Sequence, residues 1–165
     1  MNDSVVCNAS PLIFLSKIDR LHLLSDLFNE AFIPVSAWSE VAQKPDDVIQ
    51  RLDELKSSGK VVVFTVQNRT AVSALIGRLH IGEVEVIVGA DELKLSQVIL
   101  DDGYARKKAK QMGLSVTGTL GILIAGYKSG IIDDLKTEID KLVGIGFRVS
   151  DSILEKIEAS MNSRL

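Results

Sequence analysis

The chain has 165 residues, with 19 basic and 22 acidic side chains and a formal net charge of -3 at pH 7. That balance excludes a histone-like or tail-driven nucleic-acid binder, and an aromatic share of 5% argues against a protein whose main work is stacking bases. The length suits one domain over residues 1–165, large enough to bury a core without disulfides or metals. The single cysteine, Cys7, lies in an apolar run, allows no internal disulfide and reads as a buried strand residue of a reducing, cytoplasmic compartment. A basic n-region followed by an apolar stretch is not visible at the N-terminus, and no run of about 18 apolar residues occurs, so neither a signal peptide nor a membrane span is expected.

In chain order, Val5 to Cys7 reads as a central, wholly apolar strand ending at Asn8. Ser10 and Pro11 then supply an N-cap and a first-turn proline for a helix running to about Asn29, broken near Ile18 and Asp19. A second strand covers Ala31 to Val35, with a helix opening near Ser36. Asp46 to Ser57 is helical, carrying Val48, Leu52 and Leu55 on one face. Lys60 to Val66 is the third strand, followed by helices from Thr70 to Leu79 and from Gly82 to Leu95. Gln97 to Leu100 and Leu114 to Thr117 are strands around a helix from Tyr104 to Met112. Helices from Thr119 to Lys128 and Asp133 to Val143 follow, then a short edge strand over Phe147 to Val149 and a closing helix from Asp151. Strands alternating with helices predict a three-layer α/β/α architecture around a central parallel sheet, with the functional crevice beyond the carboxyl ends of the strands.

The polar residues at those ends form a pattern. Asn8 follows the first strand, Glu40 lies in the helix after the second, Asp101 and Asp102 follow the fourth, and Glu83 opens the helix at Gly82. Each has a local role available: Glu40 and Glu83 complement helix dipoles, Asp101 or Asp102 caps a helix, and Asn8 makes a turn. Taken together, carboxylates gathered at one edge repel unless a cation is bound, and Mg²⁺ or Mn²⁺ favours such oxygen-rich sites. Such ions activate water and clamp phosphate oxygens in phosphodiester cleavage. Glu85 sits about 200° around the helix from Glu83, so only one of the two faces the crevice well.

The segments VVCNASPLIFLSKI, FIPVSAWSEV, GEVEVIVGA and VILDDGYARKKAKQMGLSVTGTLGILIAGYKSGII resemble a PIN-domain protein, and in particular the small stand-alone prokaryotic subfamily related to VapC-like toxins. The resemblance runs to about Ile132. It implies an α/β/α fold, a Mg²⁺- or Mn²⁺-dependent ribonuclease acting on RNA, a homodimer, and a toxin silenced by an antitoxin protein. It places the family's four acids on Asn8, Glu40, Glu83, and Asp101 or Asp102, with Ser10 matching the hydroxyl residue two positions after the first acid. Catalytic roles are thereby expected for Glu40, Glu83, Asp101 and Asn8, and metal ligation for Glu40, Glu83, Asp101 and Asp102. Asn8 departs from the pattern because it offers a carbonyl oxygen but no charge. The alternative is therefore a weakened pseudo-nuclease that binds RNA or an antitoxin without turnover. A further alternative is a small-ligand Rossmann-like domain, which predicts carboxylates too far apart to share a cation.

Arg106, Lys107, Lys108 and Lys110 form the densest basic cluster, directly after the Asp pair. With Ser10 and Thr119, Arg106 and Lys107 are candidates for holding an RNA backbone, Arg106 first because of its bidentate geometry; a solvated helix face is the alternative. The stretch GTLGILIAG lacks P-loop spacing and reads as close helix–sheet packing with Thr119 as cap. Trp38, Phe28 and Phe32 read as core or interface residues.

Overall fold

In the computed structural model, which describes residues 3–163, five short parallel strands form one sheet in the order β3-β2-β1-β4-β5. The strands are β1 (Val5–Cys7), β2 (Ala31–Pro34), β3 (Val61–Phe64), β4 (Gln97–Ile99) and β5 (Ser115–Thr117). Between and after them come α1 (Ala9–Lys17), α2 (Leu23–Leu27), α3 (Val35–Ala42), α4 (Val48–Ser57), α5 (Arg69–Leu75), α6 (Ile81–Glu92), α7 (Gly103–Gln111), α8 (Thr119–Lys128), α9 (Leu135–Gly144) and α10 (Asp151–Asn162). The architecture is three-layer α/β/α, as expected.

The side-chain period of two in a strand builds both faces of the core. Val5 and Cys7 join one buried cluster with Leu12, Leu15, Leu24, Leu52, Leu123 and Leu142 from the helices of that layer. Val6, Val98 and Leu100 point the other way, into a cluster with Val72, Val84, Ile87 and Ala105 of α5, α6 and α7. Helix α6 is buried continuously from Gly82 to Ala90, and that stretch is apolar on all sides except at Glu83 and Glu85. Gly89 permits this close packing: a Cβ there would lie 2.5 Å from Phe64 Cζ.

Several boundaries differ from those expected. Helix α1 begins at Ala9 with Asn8 as N-cap, and Ser10 lies inside the first turn, where its hydroxyl serves Asp101 instead of the helix end. The expected break appears as the end of α1 at Lys17, with Asp19 in the left-handed region at φ 60°. β3 ends at Phe64, because the chain then turns so that Glu92 can accept the backbone N–H groups of Gln67 and Asn68 ahead of α5. Residues 147–149 form no strand; Phe147 turns inward and packs edge-to-face on Phe14, ring centroids 5.0 Å apart. Trp38 is half-buried under Lys56, Phe28 is buried, and Phe32 packs on Phe64, as core readings require.

The strand order also locates a crevice. The chain steps outward from β1 through β2 to β3, then crosses back to lay β4 on the other side of β1. The direction of winding thus reverses between β1 and β4, and ligand crevices of open parallel sheets form beyond the carboxyl ends at such a point. Asn8 follows β1 there, and Asp101 and Asp102 follow β4 with only Leu100 between.

Candidate metal centre at the carboxyl edge

Asn8 occupies the centre of this edge. Its backbone N–H donates to the Ile99 carbonyl at 3.2 Å, which ties the end of β1 to the end of β4. Although it is the N-cap of α1, its side chain makes no capping bond, and Oδ1 is buried without a hydrogen-bond partner. Leaving a buried amide oxygen unpaired costs about 1–3 kcal/mol, so the position favours a ligand able to pair with it.

Two neighbours approach the same spot. A Cβ built on Gly82 would lie 2.9 Å from Asn8 Oδ1 and 3.9 Å from Glu40 Oε2. Glycine at 82 therefore keeps the space in which the amide oxygen from β1 and the carboxylate from α3 face each other. Glu83, the next residue of α6, is buried, and its Oε2 accepts the His80 backbone N–H at 2.9 Å. Burial holds its carboxyl above the usual carboxylate range; the charges of Asp102 and Glu40 push the same way, against the His80 hydrogen bond. Glu83 thus shares one field with Glu40 and Asp102.

The two aspartates after β4 have different surroundings. Asp101 accepts from the Thr119 N–H at 2.7 Å, the Thr119 hydroxyl at 2.6 Å and the Ser10 hydroxyl at 3.2 Å. Three donors from α1 and α8 fix this carboxylate in place. Its charge adds to burial in pushing the Cys7 thiol well up, so Cys7 is an inert core residue. Asp102 is exposed, and its Oδ1 accepts the Ala105 N–H at 2.8 Å as the N-cap of α7; its second oxygen has no partner among the described residues. Arg106, half-buried on α7, donates through Nη1 to the Leu100 carbonyl at 2.9 Å. Gly118 makes room for it, since a Cβ at 118 would lie 2.7 Å from that nitrogen and 2.9 Å from Asp101 Oδ1. Lys107 is exposed on the next position of the helix.

The expected residues therefore fall into two adjoining groups. Asn8 and Glu40 face the space at Gly82, with Glu83 next in the chain and within the electrostatic reach of Glu40 and Asp102. Asp101, Ser10, Thr119 and Arg106 form a hydrogen-bonded set beside it, and Lys107 belongs to neither. Thr119 is fully buried and follows the N-cap Gly118, so its hydroxyl serves Asp101 instead of capping α8. Gly82 and Gly118 were not among the expected site residues; their only signal is a glycine directly before one, Glu83 or Thr119. Glu85 is also buried; it accepts from Ser36 of α3 and from Arg69 at 2.8 Å, which joins α3 and α5 to α6. Ser36 precedes Glu40 by one helical turn, a spacing visible in the sequence.

Among the described residues, no three His, Cys, Asp or Glu side chains form a ready ligand group. The donor chemistry still fits a hard divalent cation. It comprises a buried, unpartnered amide oxygen, the facing Glu40 carboxylate, and the carboxylates of Glu83 and Asp102, all oxygen donors.

This chain is similar in fold to a PilT N-terminus domain protein from the hyperthermophilic archaeon Sulfolobus solfataricus, with a TM-score of 0.53, 20% identity, and coverage of 74% of this chain and 92% of that one. No curated protein sequence matches it. A family model described as a PIN domain matches residues 4–163, and by that match the chain belongs to the PIN domain family.

Proposed function

We propose that this protein is a metal-dependent endoribonuclease whose site lies at the carboxyl edge between β1 and β4, within a single PIN unit over residues 1–165. The observation that carries this reading is the buried, unpartnered Oδ1 of Asn8 facing Glu40 Oε2 across the space left by Gly82. Mg²⁺ or Mn²⁺ would be held by Glu40, Glu83 and Asp102 with Asn8 as a neutral oxygen donor, and Asp101 as the fixed carboxylate beside them. A cation bound there supplies Lewis acidity for activating water and for stabilising charge on a phosphodiester. Ser10 and Thr119 hold Asp101 in one orientation, which confines its charge to a defined direction. Arg106 and Lys107 supply positive charge for the RNA backbone next to the acids.

The test is cleavage of single-stranded RNA by purified protein with Mn²⁺. The parent cleaves, and Glu40→Ala or Asp101→Asn reduces the rate by about a hundredfold or more, the scale of losing one precisely placed electrostatic group. Variants that cleave as fast as the parent would refute the site.

The missing charge at Asn8 favours a second reading, a pseudo-nuclease that binds RNA or a partner protein without turnover. It predicts no Mn²⁺-dependent cleavage by the parent.

The setting we propose is a cytoplasmic toxin paired with an antitoxin protein, in a homodimer. Supporting a protein partner are exposed apolar residues at helix ends: Val35 opens α3, Ile81 opens α6, Tyr104 lies in the first turn of α7 beneath Arg78, and Ile76 follows α5. Among the described residues, no helix is long and apolar enough to cross a membrane.

A further inference from the structure

A second cleft lies beside the acidic centre, along β5 and the segment joining α9 to α10. It has a volume of about 370 Å³, and Asp101 is the only expected metal ligand that lines it. Leu120, Ile124 and Ile153 give it an apolar wall, and Arg106 and Arg148 supply its charge. Neither arginine forms an ion pair with any carboxylate among the described residues. Asp101 keeps its charge in the same cleft but is oriented by Ser10 and Thr119 and makes no ion pair with either arginine. Arg106 spends one nitrogen on the Leu100 carbonyl and keeps the rest of its fork; Arg148 is exposed and makes no hydrogen bond there.

Two guanidinium groups without an ion-pair partner among the described residues, beside an apolar wall, match a phosphate joined to a flat, weakly polar body. A volume of about 370 Å³ is on the scale of one nucleotide. Gly118 and Gly121 keep the side of the cleft nearest the acids free of side chains, and a Cβ at Gly121 would collide with the Thr117 hydroxyl.

We infer that this cleft is a nucleotide subsite for single-stranded RNA, with a phosphate held by Arg106 and Arg148 and the base or sugar packed on Leu120, Ile124 and Ile153. The inference rests on the nuclease reading and deepens it, since the subsite adjoins Asp101 and sets how the strand leaves the acidic centre. Arg148 is its distinctive element. It lies far along the chain from the other site residues, beyond the basic run at 106–110.

The test is fluorescence anisotropy of a labelled single-stranded oligoribonucleotide over a range of salt, without divalent cation so that the RNA stays intact. The parent, Arg148→Ala and Ile153→Asp are compared, and Mn²⁺-dependent cleavage is followed in parallel. Both side chains are exposed enough for the variants to fold. Arg148→Ala is expected to weaken binding about tenfold at low salt and to lower the salt slope by about 0.7, the loss of one phosphate contact on a single strand. Ile153→Asp is expected to weaken binding to a similar degree. Unchanged binding and slope in Arg148→Ala, with a parent that cleaves RNA, overturns the subsite and leaves the nuclease reading standing. A parent that neither binds nor cleaves RNA overturns both.

Discussion

At the scale of single residues, Asn8 and Gly118 show how much depends on one atom. Asn8 brings an oxygen to the centre of the edge without its charge, and that oxygen is buried without a partner. Asn8→Asp is therefore expected to raise Mn²⁺ affinity by about tenfold or more, because a full negative charge close to the cation adds at least ~1.4 kcal/mol at protein-like screening. Calorimetric titration of both proteins checks this; equal affinities would remove Asn8 from the site. Gly118→Ala would force its new methyl group onto the Arg106 guanidinium and the Asp101 carboxylate. A loss of about 1–3 kcal/mol in denaturant unfolding is expected, together with weaker RNA binding. The Asp pair and Glu83 were legible in the sequence, since they follow a strand or open a helix; Glu40 falls in the last turn of α3 instead of near its start, so it does not complement that helix's dipole as expected. The separate roles of Asp101 and Asp102 were not legible. They depend on hydroxyl donors at Ser10 and Thr119, positions 91 and 18 residues from Asp101.

At the scale of elements, helix α6 sets the geometry of the site. Its first turn carries Gly82 and Glu83, its middle is buried on the sheet, and Gly89 allows that contact. Gly89→Ala is expected to cost about 1–3 kcal/mol, net of the gain in helix propensity, because the Phe64 ring must move. Lower cation affinity should accompany this loss, since a displaced α6 carries Glu83 with it. A second element contact joins α9 to the loop after α1: Glu138 is buried and accepts from Arg20 at 2.9 Å and Lys141 at 3.0 Å. The Arg20 hydrogen bond, aided by Lys141, holds its carboxyl below the usual range despite burial. The stabilisation is present above the unfolded carboxyl range and is lost as pH falls through the lowered folded value. Glu138→Ala is thus expected to be less stable than the parent at neutral pH by about 2–3 kcal/mol, and the gap should close in acid. Urea midpoints at several pH values measure it. Strand and helix identities were legible because short β-branched runs and longer mixed segments differ in period. The ends were less so. Phe147 carries a strand-like side chain but finds its partner in Phe14 across the core, a contact no local pattern contains.

At the scale of the whole molecule, the strand order 3-2-1-4-5 brings residues far apart in the sequence to one edge of the sheet. A sequence of alternating strands and helices implies a parallel sheet but leaves the position of the crossover open. Only the return of β4 to the free side of β1 brings Asn8 beside the Asp pair, and only the docking of α6 brings Gly82 beside Asn8 and Glu40. The net charge of -3 carries a different meaning in this light. Part of the acidic excess is gathered at one edge, while Arg106 and Arg148 form a local basic surface next to it. An RNA partner is thus compatible with an acidic chain, because attraction acts over about 10 Å at moderate salt and follows the local field.

On this reading the carboxyl edge binds a divalent cation through Glu40 and its neighbours. Calorimetric titration of Mn²⁺ into the parent and into Glu40→Gln tests it most directly. Saturable binding by the parent, weakened about tenfold or more in the variant, is the predicted result. Equal binding by both proteins, or none by the parent, would contradict it.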